Sequence, residues 1–562
     1  MTKIENIRGA QIVVEALKEE GVDTMFGYPG GANMVIYDAL YDEKAINHIL
    51  TRHEQAAIHA ADGYARTTGK AGVVLATSGP GGTNLVTGLA NAYMDSVPLV
   101  AITAQVGRSL LGKDSFQEAD IVGITIPITK YSYLVKDIKD LARTIHEAFY
   151  LATTGRPGPV LIDIPKDVTQ ELADFVYPPE MDLPGYSIEN KINMAEVDAA
   201  MDMICIAKRP IMFVGGGVRN AGASEDVLAL VEKLNVPVSW SLMGKGVIPD
   251  EHELNLGMVG MHGTAYANYA FSECDLILGI GVRFDDRVTG KLSTFAKNAN
   301  VVHVDIDDAE IDKIVPTSAA VHGDAGEVTR LFLKKLDERD DREDITEWHD
   351  RVEDWKENHP LGYDQTDTIK PQYVLESINR QTKGDCYAST EVGQNQMWSA
   401  QWLQVKTPEQ FVTSGGLGTM GFGLPAAIGM QLAHPDKTVL SMSGDGSFQM
   451  NIQELQTIKE LKLPVKIVIL NNGCLGMVRQ WQDLFMDKRY ACTVFQDKPD
   501  FVRIAEAYGI KGRMVMNPDE VEDAIKEALE YDGPFLLNIA IESEENVFPM
   551  VPAGGSLNNM LK

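Results

Sequence analysis

Eight short apolar runs, each closed by a Gly-rich or polar turn, constrain this chain more than any other feature. They are AGVVLATSGPGGTN, VPLVAITAQ, GPVLIDIPKD, RPIMFVGGGV, CDLILGIGVRF, VVHVDIDD, TVLSMSGDGSF and PVKIVILNNG. Runs without hydrophobic alternation suit strands covered on both faces, and such strands belong to parallel sheets flanked by helices. The expected fold class is therefore α/β, with doubly wound, mainly parallel sheets. Ligands on such sheets sit beyond the carboxyl ends of the strands, so the residues closing each run are the first candidates for a site.

With 562 residues, the chain is too long for one core. Two composition breaks divide it. PPEMDLPGYSIENKIN, around residues 178–193, is rich in Pro and turn formers. Residues 337–357 carry eleven acids against four bases, with Trp348 and Trp355 seven apart; this reads as a solvated amphipathic helix feeding a linker. The expected domains are 1–180, 190–340 and 360–562. A net charge of -30 argues against nucleic acid as a partner, because phosphate binding needs a concentrated basic footprint. Five scattered cysteines without a C-x-x-C pair read as reduced thiols. No secretory leader or membrane-length apolar run is legible, so a cytoplasmic protein without membrane contact is expected.

The most specific motif is GDGSFQ (444–449), with 24 residues separating Gly446 from Asn471-Asn472, each of the two closing a strand. Gly444 and Gly446 would let the backbone turn around a diphosphate, and Asp445 and Asn472 are the oxygen donors Mg²⁺ prefers. A helix starting near Asn451 would aim its N-terminus at the phosphates. A GDG alone is commonly only a turn; paired with NN at this spacing it reads as a thiamine diphosphate motif.

On that motif and on FGYPGG, RHEQAAIHAADGYAR, TSGPGGTN, SFQEAD, TGRPGPVLIDIPKDV, GMHGTAYAN, GVRFDDRVTG, TEVGQNQMWSAQW, GLGTMGFGLPAAIG and LGMVRQWQ, the chain resembles, from end to end, the family of acetohydroxyacid synthase (acetolactate synthase) catalytic subunits. The resemblance implies pyrimidine-binding, central FAD-binding and diphosphate-binding domains, and three cofactors: thiamine diphosphate, Mg²⁺ and FAD. It implies condensation of two pyruvates to 2-acetolactate and CO₂, or of pyruvate with 2-oxobutanoate to 2-aceto-2-hydroxybutanoate. The alternatives are another thiamine diphosphate-dependent 2-oxo acid decarboxylase or acyltransferase and, from a different class, an inert nucleotide-binding scaffold.

By the same resemblance, Glu54 shares a proton with N1′ of the aminopyrimidine, where a buried carboxyl of raised pKa is wanted. Pro80 and Asn84, with Val392, Gln394, Asn395, Gly418, Met420, Gly444, Gly446, Ser447 and Met477, join the cofactor-binding set; Met420 would enforce the folded shape of the cofactor. Asn395 stands where the family usually has His. Asp445, Asn472 and the main-chain carbonyl of Cys474 would hold the metal. Arg156, Gly215, Gly216, Gly217, His262, Arg283, Asp285, Arg287, Asp305 and Gly323-Asp324 would surround FAD, which GRPGP and RFDDR favour over the FAD-independent branch. Gly31, Gln117, Lys166, Met261, Met477, Trp481 and Phe485 fall along the substrate channel; Gln117, Lys166, Met420 and Trp481 join Glu54 as catalytic candidates. Ala104, Gly107, Lys113 and Ser115 depart from the family there. A homodimer or homotetramer is implied, each site lying between two subunits, with a separate regulatory small subunit.

Overall fold

The computed structural model describes residues 2–188 and 191–562; positions 189 and 190 of the Pro-rich boundary lie outside the described residues. All eight apolar runs contain strands, and these are eight of the twelve inner strands of three six-stranded parallel sheets. The first sheet runs, in spatial order, Asn47–Leu50, Thr24–Gly27, Gly72–Ala76, Leu99–Gln105, Pro159–Pro165 and Tyr131–Leu134. The second runs Asn255–Met258, Val238–Trp240, Pro210–Val214, Leu276–Ile280, Asn300–Asp305 and Ala319–His322. The third runs Phe411–Val412, Tyr387–Thr390, Val439–Gly444, Lys466–Asn471, Phe535–Ala540 and Lys511–Val515. Every residue of Leu99–Gln105 and Pro159–Pro165 is buried, as strands covered on both faces require. An antiparallel pair, Thr2–Arg8 with Leu172–Tyr177, closes the first unit.

Strand order reverses near the middle of each sheet, and crevices at such reversals bind ligands. The reversals lie between Thr24–Gly27 and Gly72–Ala76, between Pro210–Val214 and Leu276–Ile280, and between Tyr387–Thr390 and Val439–Gly444. The segments beyond them are FGYPGG and TSGPGG, GGG and GVRFDD, and EVGQN and GDGS. The topology thus explains why candidate residues from distant motifs share a sheet end.

The acidic segment ends in the expected amphipathic helix, but that helix is docked rather than solvated. Helix Thr346–Asn358 docks on the second unit: Trp348 and Trp355 are buried with Phe213 and Phe271, and Trp348 Nε1 donates to Pro210 O (2.9 Å). Its acids face water, but two buried indoles anchor it. The chain leaves this unit only after residue 358.

The first and third units share one core, centred on helices Glu54–Thr68 and Gly423–Ala433. Their backbones approach so closely that a Cβ on Gly63 would lie 2.3 Å from Ala426 O, and one on Gly429 would lie 1.9 Å from Ala60 O. Gly429→Ala is expected to cost about 1–3 kcal/mol, read as a lowered denaturation midpoint, because neither backbone can yield. A buried charge cluster tightens the same junction. Arg66 pairs with Asp62 (2.5 Å) and Asp95 (2.9 Å) and donates to Thr413 O (2.9 Å), while Asp95 accepts from Gly415 and Gly416 N–H. One first-unit carboxylate thereby sets the start of the GGLGTM loop.

Candidate active site

A cavity of about 950 Å³ opens where the reversal points of the second and third sheets face each other. Of the sequence candidates, Arg156, Gly216, Gly217, Met261, His262, Arg283, Asp285, Arg287, Asp305 and Asp324 line it from one side. Val392, Gln394, Asn395, Gly418, Met420, Gly444, Asp445, Gly446, Ser447, Asn472, Cys474, Met477 and Trp481 line it from the other. Gly215 does not; a Cβ there would strike Gly281 O at 2.2 Å, so it serves strand packing.

At the third sheet, Asp445 is almost wholly buried, and burial pushes its carboxyl up to about 6. Asn472 directs its amide nitrogen to Gln394 Oε1 (3.0 Å). Its amide oxygen then faces Asp445 Oδ1 at 3.2 Å and Cys474 O at 3.1 Å. Three acceptors with no proton between them repel unless a cation intervenes. The spacing is close to the roughly 3.0 Å edge of an octahedron with ~2.1 Å Mg–O bonds, and one carboxylate with two neutral oxygens suits that hard ion. The residues present fit the metal.

Two local expectations are corrected. Helical backbone begins at Asp445 itself, after Gly444, whereas Asn451 is a break (φ -132°, ψ 30°). Asn451 Nδ2 donates to Gly421 O (2.6 Å), and regular helix resumes at Leu455. Gly444 (φ -92°) needs no special turn conformation. A Cβ on it would lie 2.9 Å from Asn395 Nδ2, and one on Gly446 would lie 2.8 Å from Leu475 Cδ2. These glycines answer to close approach. Gly393, with φ 138° before helix Gln394–Trp402, does use glycine's conformational freedom.

At the second sheet, His262 is buried with Nδ1 unpartnered, and desolvation lowers its pKa to about 4, so the ring is neutral near pH 7. Asn395 Oδ1 and Trp481 Nε1 are likewise buried without partners among the described residues. Orphaned polar atoms on both sides of the cavity mark groups awaiting a polar ligand. Asp305 is pushed up to about 6 by burial. Asp285 and Asp324 each spend one oxygen capping a helix N-terminus. Arg156 pairs with Asp307 (2.9 Å) and Glu310 (2.7 Å).

Glu54, Pro80, Asn84, Gln117, Lys166 and Gly31 lie at the first sheet's end and do not line this cavity. Asn84 Nδ2 donates to Glu54 Oε2 (2.9 Å). Gln117 holds a left-handed backbone (φ 59°) against Gly79, where a Cβ would lie 2.9 Å from Gln117 Cα. Lys166 N–H donates to Gln105 O (3.0 Å). Phe485 is exposed, edge-on to Trp481. Exposed apolar side chains stand on both halves: Met34 and Phe116 on the first unit, Met450, Val478 and Met486 on the third.

Sequence reasoning missed two buried carboxyls. Glu391 accepts from Gly421 N (2.7 Å) and Leu424 N (3.2 Å), shaping the turn that carries Gly418 and Met420. Glu454 accepts from Arg52 N (2.9 Å) and Thr457 Oγ1 (2.7 Å), tying the third unit to the residue pair before Glu54. Their only sequence signal was an acid beside a motif, which is ordinary for a surface residue. Burial raises Glu454 from 4.5 to about 7. The folded chain therefore binds this proton more tightly than the unfolded one. The associated stability is full below the ordinary carboxylate range and is lost as pH rises through about 7. From about pH 5 to about pH 8, the thermal midpoint of Glu454→Gln is expected to fall less than that of the unchanged chain.

Comparison with known proteins places the chain in one family along nearly its whole length. The model of the N-terminal TPP binding domain of thiamine pyrophosphate enzymes matches residues 7–124, that of their central domain 197–332, and that of their C-terminal TPP binding domain 391–539. The acetolactate synthase isozyme 2 large subunit of Escherichia coli (strain K12) is 48% identical over 560 residues, covering 99% of this chain and 100% of that protein. The acetolactate synthase large subunit of Haemophilus influenzae is 46% identical over 564 residues, covering 99% and 98%. The probable acetolactate synthase large subunit of Methanocaldococcus jannaschii is 47% identical over 567 residues, covering 99% and 95%. With three matched domains in order and near-complete coverage by such relatives, the chain belongs to the acetolactate synthase large-subunit family of thiamine pyrophosphate enzymes.

Proposed function

We propose that the chain condenses pyruvate with a second pyruvate to give 2-acetolactate and CO₂, or with 2-oxobutanoate to give 2-aceto-2-hydroxybutanoate, in branched-chain amino acid biosynthesis. The observation that carries the reading is the three-oxygen cluster of Asp445, Asn472 and Cys474 O in a cavity shared by two sheet ends. Bound thiamine diphosphate supplies the electron sink that lets a carboxyl group leave as CO₂ and the remaining two-carbon unit attack a second carbonyl.

The chain's own groups do the rest. Asp445, Asn472 and Cys474 O would hold Mg²⁺, which would supply positive charge for the diphosphate. Glu54, fixed on one oxygen by Asn84, holds a proton at the pyrimidine ring nitrogen. Gln117 and Lys166 offer an amide and an ammonium to a 2-oxo acid carboxylate, and Trp481 walls the acceptor side. Glu391 keeps the Met420 turn in place.

FAD fits the second-sheet end. Gly216, Gly217, Arg156 and Arg283 line it, and neutral His262 presents an unpartnered nitrogen. The condensation conserves overall oxidation state, so FAD is assigned a structural role. Glu54 and Asp445 stand on separate halves, and exposed Met34, Phe116, Met450 and Val478 give each half an apolar rim. A second copy completes each site in this reading, as a dimer or tetramer. A separate regulatory small subunit is proposed from the relatives' designation as large subunits. Among the described residues no helix is long and apolar enough to cross a membrane; with five free thiols, we assign the chain to the cytoplasm.

The test is product analysis with pyruvate, each cofactor omitted in turn. Acetolactate that requires thiamine diphosphate and Mg²⁺ is expected. Acetaldehyde without acetolactate would overturn the condensation.

A further inference from the structure

The Asn472 amide has two orientations, and only one turns an acceptor toward the metal. Cys474 N–H, which donates to Asn472 Oδ1 (3.3 Å), favours it from within the motif, and a buried amide relay favours it from outside. Gln480, on helix Gly476–Phe485, is fully buried and pinned by one main-chain residue: Val547 N–H donates to its Oε1 (2.8 Å), and its Nε2 donates to Val547 O (3.1 Å). One acceptor and one donor fix the amide, because turning it would set oxygen against oxygen and N–H against N–H.

Gln480 Oε1 also accepts from Gln394 Nε2 (2.9 Å), which reaches Glu545 O as well (3.0 Å). The oxygen of Gln394 is thereby sent the other way, to Asn472 Nδ2 (3.0 Å). Asn472 is left with its oxygen toward Asp445 Oδ1 and Cys474 O. Turning Asn472 alone would put its oxygen against Gln394 Oε1. Turning all three amides would break both bonds to Val547.

We propose that Gln480 is a positioning residue that acts through Gln394 to present the Asn472 amide oxygen to a divalent cation. The inference rests on the metal reading above. Gly476 belongs to the device: a Cβ there would lie 2.1 Å from Gln394 Oε1 and 2.6 Å from Asn472 Nδ2. Arg479 holds the anchoring segment through Glu544 O and Glu545 O, both at 3.2 Å.

The test measures Mn²⁺ affinity, from the spin-resonance signal of free Mn²⁺, with thiamine diphosphate present. Gln480→Met and Gly476→Ala are each expected to raise the Mn²⁺ Kd about 10- to 100-fold, the effect of losing a group that orients a ligand, with kcat recovering at saturating Mn²⁺. A purely structural role would lower the thermal midpoint and leave the Kd of the folded protein unchanged. Wild-type affinity in either folded variant overturns the relay; if Gln480→Met does not fold, Gly476→Ala alone decides. An unchanged chain that binds no Mn²⁺ overturns the metal reading beneath it.

Discussion

Replacing Glu54 by Gln is expected to lower kcat for acetolactate formation about 10²- to 10⁴-fold, the range for removing a positioned acid–base group. The change is nearly isosteric. Glu54 opens helix Glu54–Thr68 as a half-buried residue, ahead of the helix's core face, and Asn84 anchors one of its oxygens. The fold and the affinity for thiamine diphosphate should therefore persist, so the loss appears in kcat. An amide can neither hold nor release the proton at the ring nitrogen. Activity within a few-fold of the unchanged chain would remove Glu54 from the mechanism.

Asp445→Asn is expected to weaken Mn²⁺ more than 100-fold, beyond the effect of an orienting partner, because Asp445 brings the only formal charge to the three-oxygen set. Calorimetric titration with Mn²⁺ in the presence of thiamine diphosphate reads the effect directly. The metal-free variant should be at least as stable as its parent, since burial already penalises this carboxylate, lifting it to about 6. Loss of metal binding without loss of fold separates a ligand from a structural residue.

Eight of the twelve inner strands were legible because each is buried and reads as an unbroken apolar run; others, such as Val238–Trp240, are too short or too polar to stand out. The edge strands were not legible either. Tyr131–Leu134 is half-exposed, and Phe411–Val412 has only two residues, too short for any period. The helical break at Asn451 was invisible because it depends on Gly421 O, thirty positions away. Trp348 and Trp355 showed the apolar stripe of their helix, but the acids around them hid its docking. Asp445 and Asn472 stood out by spacing, whereas Gln480 did not: a glutamine on a helix looks solvated until its amide is found on Val547. Glu54, Asp445 and the second-sheet residues came as one set from the resemblance. The chain's own topology then divides that set between the first sheet's end and the cavity.

That division makes the central claim testable in one measurement. If each site takes Glu54 from one copy and Asp445 from another, Glu54→Gln and Asp445→Asn chains are each nearly inactive alone. A mixed dimer of the two would hold one intact site. Acetolactate formation should therefore return when the two variants are dissociated, mixed and reassociated. Mixtures no more active than the separate variants, with mixed dimers shown to form, would contradict a site shared between copies.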